Sequence, residues 1–490
     1  MKKILAIDQG TTGTTALVID EAQAVLARKT VEFPQIYPIP GLVEHDPKAI
    51  WESVLEAIRS VLAIIDSSGK DIDCIGITNQ RETTILWDDE GNPVYNAIVW
   101  QDRRTASFCE QLKQEGHDAL IADRSGLVID PYFSGTKIRW LLEEVAGLRR
   151  KAENGRIRFG TIDSFLVNRL TNGDVHVTDV SNASRTMLMN LRSCQWDDEL
   201  TSLMDIPKRI LPEIRSSSEI YGRTKQLGIL PDGIPISGMA GDQQAALFGQ
   251  LGFEVGDVKC TYGTGSFVVM NTGDRPIAST HRLLSTVAWQ IGQKTVYALE
   301  GSAFIAGAAV QWIRDGLGLI KSASEIEGLA EKVDSAEGVY FVPALTGLGA
   351  PHWRATARGL ITGINRGTTR NHLARATLEG IALQNMELIE AMQRDLGRQI
   401  MQIKVDGGAA SNNLLMQLQA DLSGVTIVRP RMVETTALGA ALLAGLANGV
   451  WKSFSELSAA WKEDRRFTPE RDHRWRQSMI DGWRAAVQKA

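Results

Sequence analysis

Two short segments carry the residue types that a phosphate-handling site needs. DQGTTGTT at residues 8–15 and TYGTGS at 261–266 each set a glycine-threonine step directly after a β-branched run. Glycine lets backbone N–H groups approach phosphate oxygens, hydroxyls add donors, and a carboxylate can orient a hydrated divalent cation. In the first segment Asp8 ends the apolar run, placed to support such a cation, while Gly10, Thr11, Thr12 and Gly13 form the turn that faces the phosphates. Taken alone, a plain hairpin of the Asp-Gly type accounts for this segment as well. The second turn shifts the balance: Thr264 stands 253 positions after Thr11, and two such turns can close on a phosphate chain from opposite sides. The lysine-bearing pattern GxxxxGK[ST] is absent, so the P-loop is not the device used.

Phosphoryl transfer to an alcohol also needs a carboxylate to accept the hydroxyl proton. Asp242, in GMAGDQQAALFGQ at 238–250, stands at the expected start of a helix and suits that task, although capping the helix explains an Asp there equally well. A small polyol needs charged or amide groups for its hydroxyls and apolar surface for its carbon edge, and the candidates are Arg81, Glu82, Trp100, Tyr132, Asp242, Gln243 and Phe267. Adjacent strand residues face opposite sides, so Arg81 and Glu82 reach one ligand only if the chain turns there; otherwise they are an edge-strand charge pair. For any one of the three aromatics, core packing is the default. VDGGAASNN at 405–413 sets a glycine pair between a strand and a helix capped by Ser411 or Asn412, and flat adenine could lie against that backbone. An ordinary strand-to-helix turn has the same residues.

The elements that must position these groups follow from periodicity. A chain of 490 residues exceeds the size of a single growing core, so at least two domains are expected. The opening reads β-β-β, with strands at 4–7, 15–19 and 25–33, followed by helices at 47–65, 104–115 and 137–145. After a helix at 241–251 the chain begins again with a strand at 258–262. Further strands lie at 296–300, 338–344, 402–408 and 426–430, with helices starting near 304, 370 and 412. The pattern predicts a duplicated α/β unit with its boundary near 250. The small-residue segments AALFGQ (245–250) and TTALGAALLAGLANG (435–449) allow close helix approach, as at a hinge between lobes.

Composition narrows the partners. With 43% hydrophobic and 23% charged residues and a formal charge of −5, the chain has a substantial core and no broad attraction for nucleic acid or an anionic membrane. The four apolar residues before Asp8 are too few for a signal-peptide core and the longest mostly apolar stretch, 437–450, is too short for a bilayer span, so no membrane insertion and a cytoplasmic setting are expected. The four cysteines are scattered and no HExxH motif occurs, which argues against structural zinc or disulfides.

At these residues the sequence resembles the FGGY carbohydrate kinase family, and within it the members that phosphorylate glycerol. YFSGTKIRWLLEE at 132–144 and GLITGINRGTTRNHLARATLE at 359–379 look like its two signatures, and GITNQRETT at 76–84, YNAIVWQDRR at 95–104 and AGDQQAALFGQ at 240–250 discriminate within it. Pentulose and gluconate kinases of the family are expected to replace NQRET. The resemblance implies an α/β protein of two duplicated ribonuclease H-like (actin-like ATPase) domains with a catalytic cleft between them. Residues 1–250 would hold the polyol site, the first phosphate turn and the catalytic Asp, and 251–490 the second phosphate turn and the adenosine pocket. It implies transfer of the γ-phosphoryl group from ATP, with Mg²⁺, to glycerol, giving sn-glycerol 3-phosphate and ADP, by a homodimer or homotetramer. Asp242 would be the base; Arg81, Glu82, Tyr132, Asp242 and Gln243 would hold the hydroxyls, with Trp100 and Phe267 against the carbons. Thr11, Thr12, Gly13 and Thr264 would contact the phosphates, Asp8 would support the metal, and Gly307, Gln311, Gly408 and Asn412 would line the nucleoside pocket. The alternatives are a family kinase acting on a tetritol or ketopentose, or a nonenzymatic actin-like ATP-dependent clamp. The sequence departs from the family at Thr15, where an arginine is common, and at Arg354 and Ala355, where an Asp-Pro pair is common.

Overall fold

The computed structural model describes residues 1–354 and 356–490; Ala355, one of the two residues of the second departure, lies outside the described residues. Three antiparallel strands open the chain, β1 (Lys3–Gln9), β2 (Gly13–Asp20) and β3 (Val25–Glu32). Ile4, Leu5, Ala6 and Ile7 are all buried, the continuous apolar run of a strand covered on both faces. Helix α1 (Pro47–Ile64) starts on an Asp46 cap with Pro47 in its first turn and buries Ile50, Val54, Ile58 and Val61 against β2 and β3. Strands β4 (Cys74–Asn79), β5 (Ser218–Arg223) and β6 (Pro235–Gly241) complete a six-stranded sheet in the order β5-β6-β4-β1-β2-β3.

After helix α2 (Asp242–Gly249) the pattern repeats. Strands β7 (Val258–Tyr262), β8 (Ser266–Gly273), β9 (Leu284–Ile291) and β10 (Lys294–Ala303) are followed by helices α3 (Gly307–Asp315) and α4 (Arg370–Leu396). Then come β11 (Gln402–Asp406), α5 (Asn413–Ser423), β12 (Thr426–Pro430), α6 (Thr435–Ala447) and β13 (Glu463–Phe467). Among the described residues the second sheet runs β9-β10-β8-β7-β11-β12-β13. Apart from the extra edge strand β9, its order and strand directions reproduce those of β3-β2-β1-β4-β6-β5.

This topology decides where chemistry can occur. In the first sheet the parallel strands β1, β4 and β6 end flush, with Gln9 and Gly241 both opposite Asn79. In the second, Thr261 near the end of β7 is opposite Asp406 at the end of β11. Ligand sites in parallel α/β sheets form beyond such carboxyl ends.

The two closing helices are exchanged between lobes. Helix α6, which follows β12 of the second sheet, lies on β1, β4 and β6 of the first, while α2 reaches β7, β8 and β9 of the second. Their crossing is close: a Cβ on Gly439 would sit 1.8 Å from the Ala245 carbonyl oxygen. The small-residue segments therefore do meet between the lobes, and a buried cluster including Ile4, Leu17, Phe248, Val269, Trp289, Ala441 and Leu442 fills that junction. The expectation missed one unit. Between β4 and β5 an insert with its own core, including Leu86, Ile98, Phe133, Leu141 and Phe159, carries Trp100, Tyr132 and Arg185. Its helix expected at 137–145 is Ser134–Glu144, starting where the extended backbone of Phe133 ends.

Candidate active site

The first turn is fixed by its hairpin. Asp8 pairs across to Thr15, Gly10 N–H donates to the Gly13 carbonyl at 2.9 Å, and a Cβ on Gly13 would come 2.8 Å from the Val31 carbonyl oxygen, so the glycine there is a packing requirement. Thr11 and Thr12 stand at the tip, Thr12 exposed. Asp8 is pushed up to about 8, first by removal from solvent and then by the nearby carboxylates Asp242 and Glu434. Thr15, at the departure from the family, engages Thr30 through its hydroxyl at 2.8 Å.

Just past β4 the chain turns, with Glu82 at φ 59°, so the alternation that would separate Arg81 from Glu82 no longer applies. Both side chains are buried in one ionic cluster. Arg81 forks onto Glu300, Nη1 to Oε2 at 2.5 Å and Nη2 to Oε1 at 2.9 Å, while its Nε lies 3.1 Å from Asp242 Oδ1. Arg185 donates Nε to Glu82 Oε1 at 2.7 Å and Nη2 to Glu300 Oε1 at 3.0 Å. Burial works against the Glu300 charge, but Arg185 and Arg81 outweigh it and hold its pKa down to about 2. At Glu82 burial dominates the same two arginines and the pKa is raised.

Asp242 is the first residue of α2, with Gly241 in the capping position. Its Oδ1 accepts from the Gln243 N–H at 2.7 Å and faces Arg81, while Oδ2 has no hydrogen-bond partner among the described residues and the side chain stays 30% accessible. An oxygen left free on a carboxylate held at its other oxygen is what proton acceptance requires. Aromatic rings wall the cluster. Trp100 meets Tyr132 at 5.7 Å and Phe267 at 6.3 Å, edge to face, and Arg81 lies over Phe267. The Trp100 indole N–H also donates to Thr11 Oγ1 at 3.0 Å, which joins the polyol candidates to the first turn.

In the second lobe Gly263 and Thr264 are exposed in the turn between β7 and β8, and their carbonyls accept from Gly307 and from Ala306 and Ala308 at the start of α3. Beside them Gly407 sits at φ 85°, where a Cβ would lie 2.5 Å from the Tyr262 carbonyl oxygen. Gly408 has open space where a side chain would be, and Asn412 caps α5 by accepting from Leu415 N–H at 2.8 Å. Gln311 is exposed on α3, which starts at Gly307 and not near 304 as expected.

Comparison with known proteins fits this geometry. Residues 3–249 match the N-terminal domain of the FGGY family of carbohydrate kinases and residues 258–448 its C-terminal domain. The chain belongs to the FGGY family of carbohydrate kinases. The glycerol kinase of Paraburkholderia phytofirmans is 56% identical over 488 residues, covering 99% of this chain and 98% of that relative. The glycerol kinase of Burkholderia vietnamiensis is 55% identical over 488 residues, with 99% and 97% covered. The crystal structure of Plasmodium falciparum glycerol kinase with ADP superposes with a TM-score of 0.92 at 37% identity, covering all of this chain and 98% of that one. The gluconate kinase of Lactobacillus acidophilus shares the fold, with a TM-score of 0.88 at 24% identity and 100% and 97% covered.

Within this FGGY chain the structure gathers Arg81, Glu82, Trp100, Tyr132, Asp242 and Phe267 in one network, and groups Thr264, Gly307 and Gly408 around the second turn. Sequence reasoning missed Glu300, Arg185 and Lys259. The available signal was a lone charge inside an apolar strand: Glu300 in VYALEG and Lys259 in VKCTY.

Proposed function

We propose that the chain phosphorylates glycerol: Asp242 Oδ2 takes the proton of a primary hydroxyl as its oxygen attacks the γ-phosphorus of ATP, giving sn-glycerol 3-phosphate and ADP. The observation that carries this reading is the Asp242 carboxylate, clamped at Oδ1 and, among the described residues, unpartnered at Oδ2, beside Arg81 and Gln243. The identity of 56% along nearly the full length of a glycerol kinase supports glycerol over a tetritol or ketopentose. Residues 1–250 supply the alcohol pocket and the first phosphate turn, and residues 251–490 the second turn and the adenosine pocket. Arg81, Glu82, Tyr132 and Gln243 hold the hydroxyls, Trp100 and Phe267 pack on the carbons, and Thr11, Thr12, Gly13 and Thr264 contact the phosphates. Gly307, Gln311, Gly408 and Asn412 border the nucleoside.

A divalent cation fits Asp8. Burial, and after it the Asp242 and Glu434 carboxylates, add to the cost of ionising Asp8, a cost that a cation relieves, and a carboxylate is a hard oxygen donor. No group of three or more metal-ligating side chains occurs among the described residues, which suits Mg²⁺ held by one or two carboxylates together with substrate phosphates. When bound, Mg²⁺ neutralises phosphate charge during transfer. Closing the lobes keeps water from competing for the phosphoryl group. No helix among the described residues is long and apolar enough to cross a membrane, and four buried, unpaired cysteines suit the reducing cytoplasm.

The test is ADP release from MgATP with no acceptor, with glycerol, with erythritol and with xylulose. Release that saturates with glycerol and is weak with the others is expected. Release indifferent to glycerol would point to an ATP-dependent clamp and end this reading.

A further inference from the structure

Lys259 is the second residue of β7 and has no solvent exposure, in the lobe that carries the second glycine-threonine turn. Its ammonium donates to three oxygens: Gln243 Oε1, Thr261 Oγ1 at 2.9 Å and the Phe267 carbonyl at 3.4 Å. Burial pushes its pKa down, opposed first by Asp406 among the surrounding acids. We infer that Lys259 is a positioning residue that fixes the facing of the Gln243 amide and ties the alcohol pocket to the second phosphate turn. The inference rests on the reading of Gln243 as a contact of the alcohol.

The argument is one of donor and acceptor count. An ammonium has three donors and no acceptor, so the Gln243 group that meets it must be the carbonyl oxygen. The amide nitrogen, with both its N–H groups, is thereby turned away from Lys259. It makes no hydrogen bond among the described residues, and Gln243 keeps 6% of its surface exposed. The neighbouring Gln244 differs: its oxygen accepts from Arg81 at 3.2 Å and its nitrogen donates to the Val287 carbonyl at 3.2 Å, so that amide is fully engaged. Positions 242 and 243, in the first turn of α2, thus each leave one atom unengaged among the described residues, an acceptor at Asp242 Oδ2 and a donor at Gln243 Nε2. A hydroxyl needs that pairing, since it gives one proton and takes a bond on its lone pairs. The other two oxygens held by Lys259 belong to residues flanking the turn at 263–265, one on β7 and one on β8. One cation therefore sets the spacing between the alcohol amide and the turn that faces the phosphates, and such spacing governs the rate of an in-line transfer.

A double-mutant cycle tests this, reading the glycerol KM of Lys259→Met, Gln243→Ala and the double variant. Gln243→Ala is expected to raise the KM about tenfold or more, and Lys259→Met by about tenfold, the scale of one lost directed hydrogen bond. On the Gln243→Ala background Lys259→Met is expected to add less than about twofold, because its route of action is already gone. Equal effects in both backgrounds overturn the inference alone; a Gln243→Ala enzyme with unchanged KM overturns the alcohol-pocket reading and the inference together. Gln243→Glu covers the case in which Lys259→Met does not fold, since it keeps a partner for Lys259 and replaces the donor with an acceptor. A rise of about tenfold or more in glycerol KM with an unchanged melting temperature supports the donor role, and an unchanged KM contradicts it.

Discussion

Strands β4 and β11 occupy equivalent places in the two duplicated sheets, each parallel to the central strand that enters a glycine-threonine turn. Beyond β4 the chain reads Gln80-Arg81-Glu82, and beyond β11 it reads Gly407-Gly408. At the first corner charged side chains are bent inward and locked by Glu300 and Arg185; at the second, the backbone itself forms the surface because a side chain at 407 would strike Tyr262. Duplication sets where a ligand can lie, and the residues after the strand decide which ligand it is. Charge at one corner suits hydroxyls, and bare backbone at the other suits a flat base and phosphates. The corners should therefore fail in different ways, the first by losing charge and the second by gaining a methyl group.

The largest effect is expected at the charged corner. Asp242→Asn keeps the shape of the side chain and removes the proton acceptor, so kcat should fall by about 10² to 10⁴ while nucleotide affinity holds. Turnover near that of the wild type would refute the assigned role. Glu300→Ala attacks the lock, removing the carboxylate shared by two buried guanidinium groups and leaving Arg185 with Glu82 and Arg81 with Asp242, and should cost about 3–5 kcal/mol of stability along with a raised glycerol KM. Denaturant unfolding and steady-state kinetics measure both, and an unchanged glycerol KM would show that Arg81 needs no such support. At the other corner, Gly407→Ala forces a Cβ into a left-handed backbone and against Tyr262, at about 1–3 kcal/mol. Its kinetic signature should be a raised KM for ATP with that for glycerol within about twofold; the reverse pattern would dissolve the contrast between the corners.

The last effect is electrostatic. Asp8 in the ligand-free protein is raised to about 8, far above the ordinary carboxylate range, so between the two values the folded state holds a proton that the unfolded state has lost. Its contribution therefore stabilises the fold at low pH and declines as pH rises from about 4 to about 8. Binding of MgATP near neutral pH should release that proton, readable by calorimetry in buffers of different ionisation enthalpy. Asp8→Asn should flatten the stability profile and remove the release, and an identical release from the variant would assign the proton elsewhere.

Much of this was legible in the sequence because it depends on local signals. The glycine-threonine turns, the strand at 258–262, the start of the long helix at Arg370 and the carboxylate at 242 all follow from residues close together in the chain. Arg81 and Glu82 were only half legible, since their facing depends on whether β4 stops at Asn79, and nothing in a glutamate at 82 announces a left-handed backbone. Glu300 and Arg185 were not legible as partners. They lie 219 and 103 positions from the residues they hold, and only the return of β10 and of the insert between β4 and β5 brings them together. The place of Lys259 depends on its strand being the central one of the second sheet, which only the topology shows.

The claim underneath these expectations is spatial, and a crystal structure with glycerol and a nonhydrolysable ATP analogue tests it most directly. The account predicts phosphate oxygens between Thr11 and Thr264, with a primary hydroxyl of glycerol within about 3.2 Å of Asp242 Oδ2. Nucleotide density on one turn only, or glycerol bound away from Asp242, would contradict it.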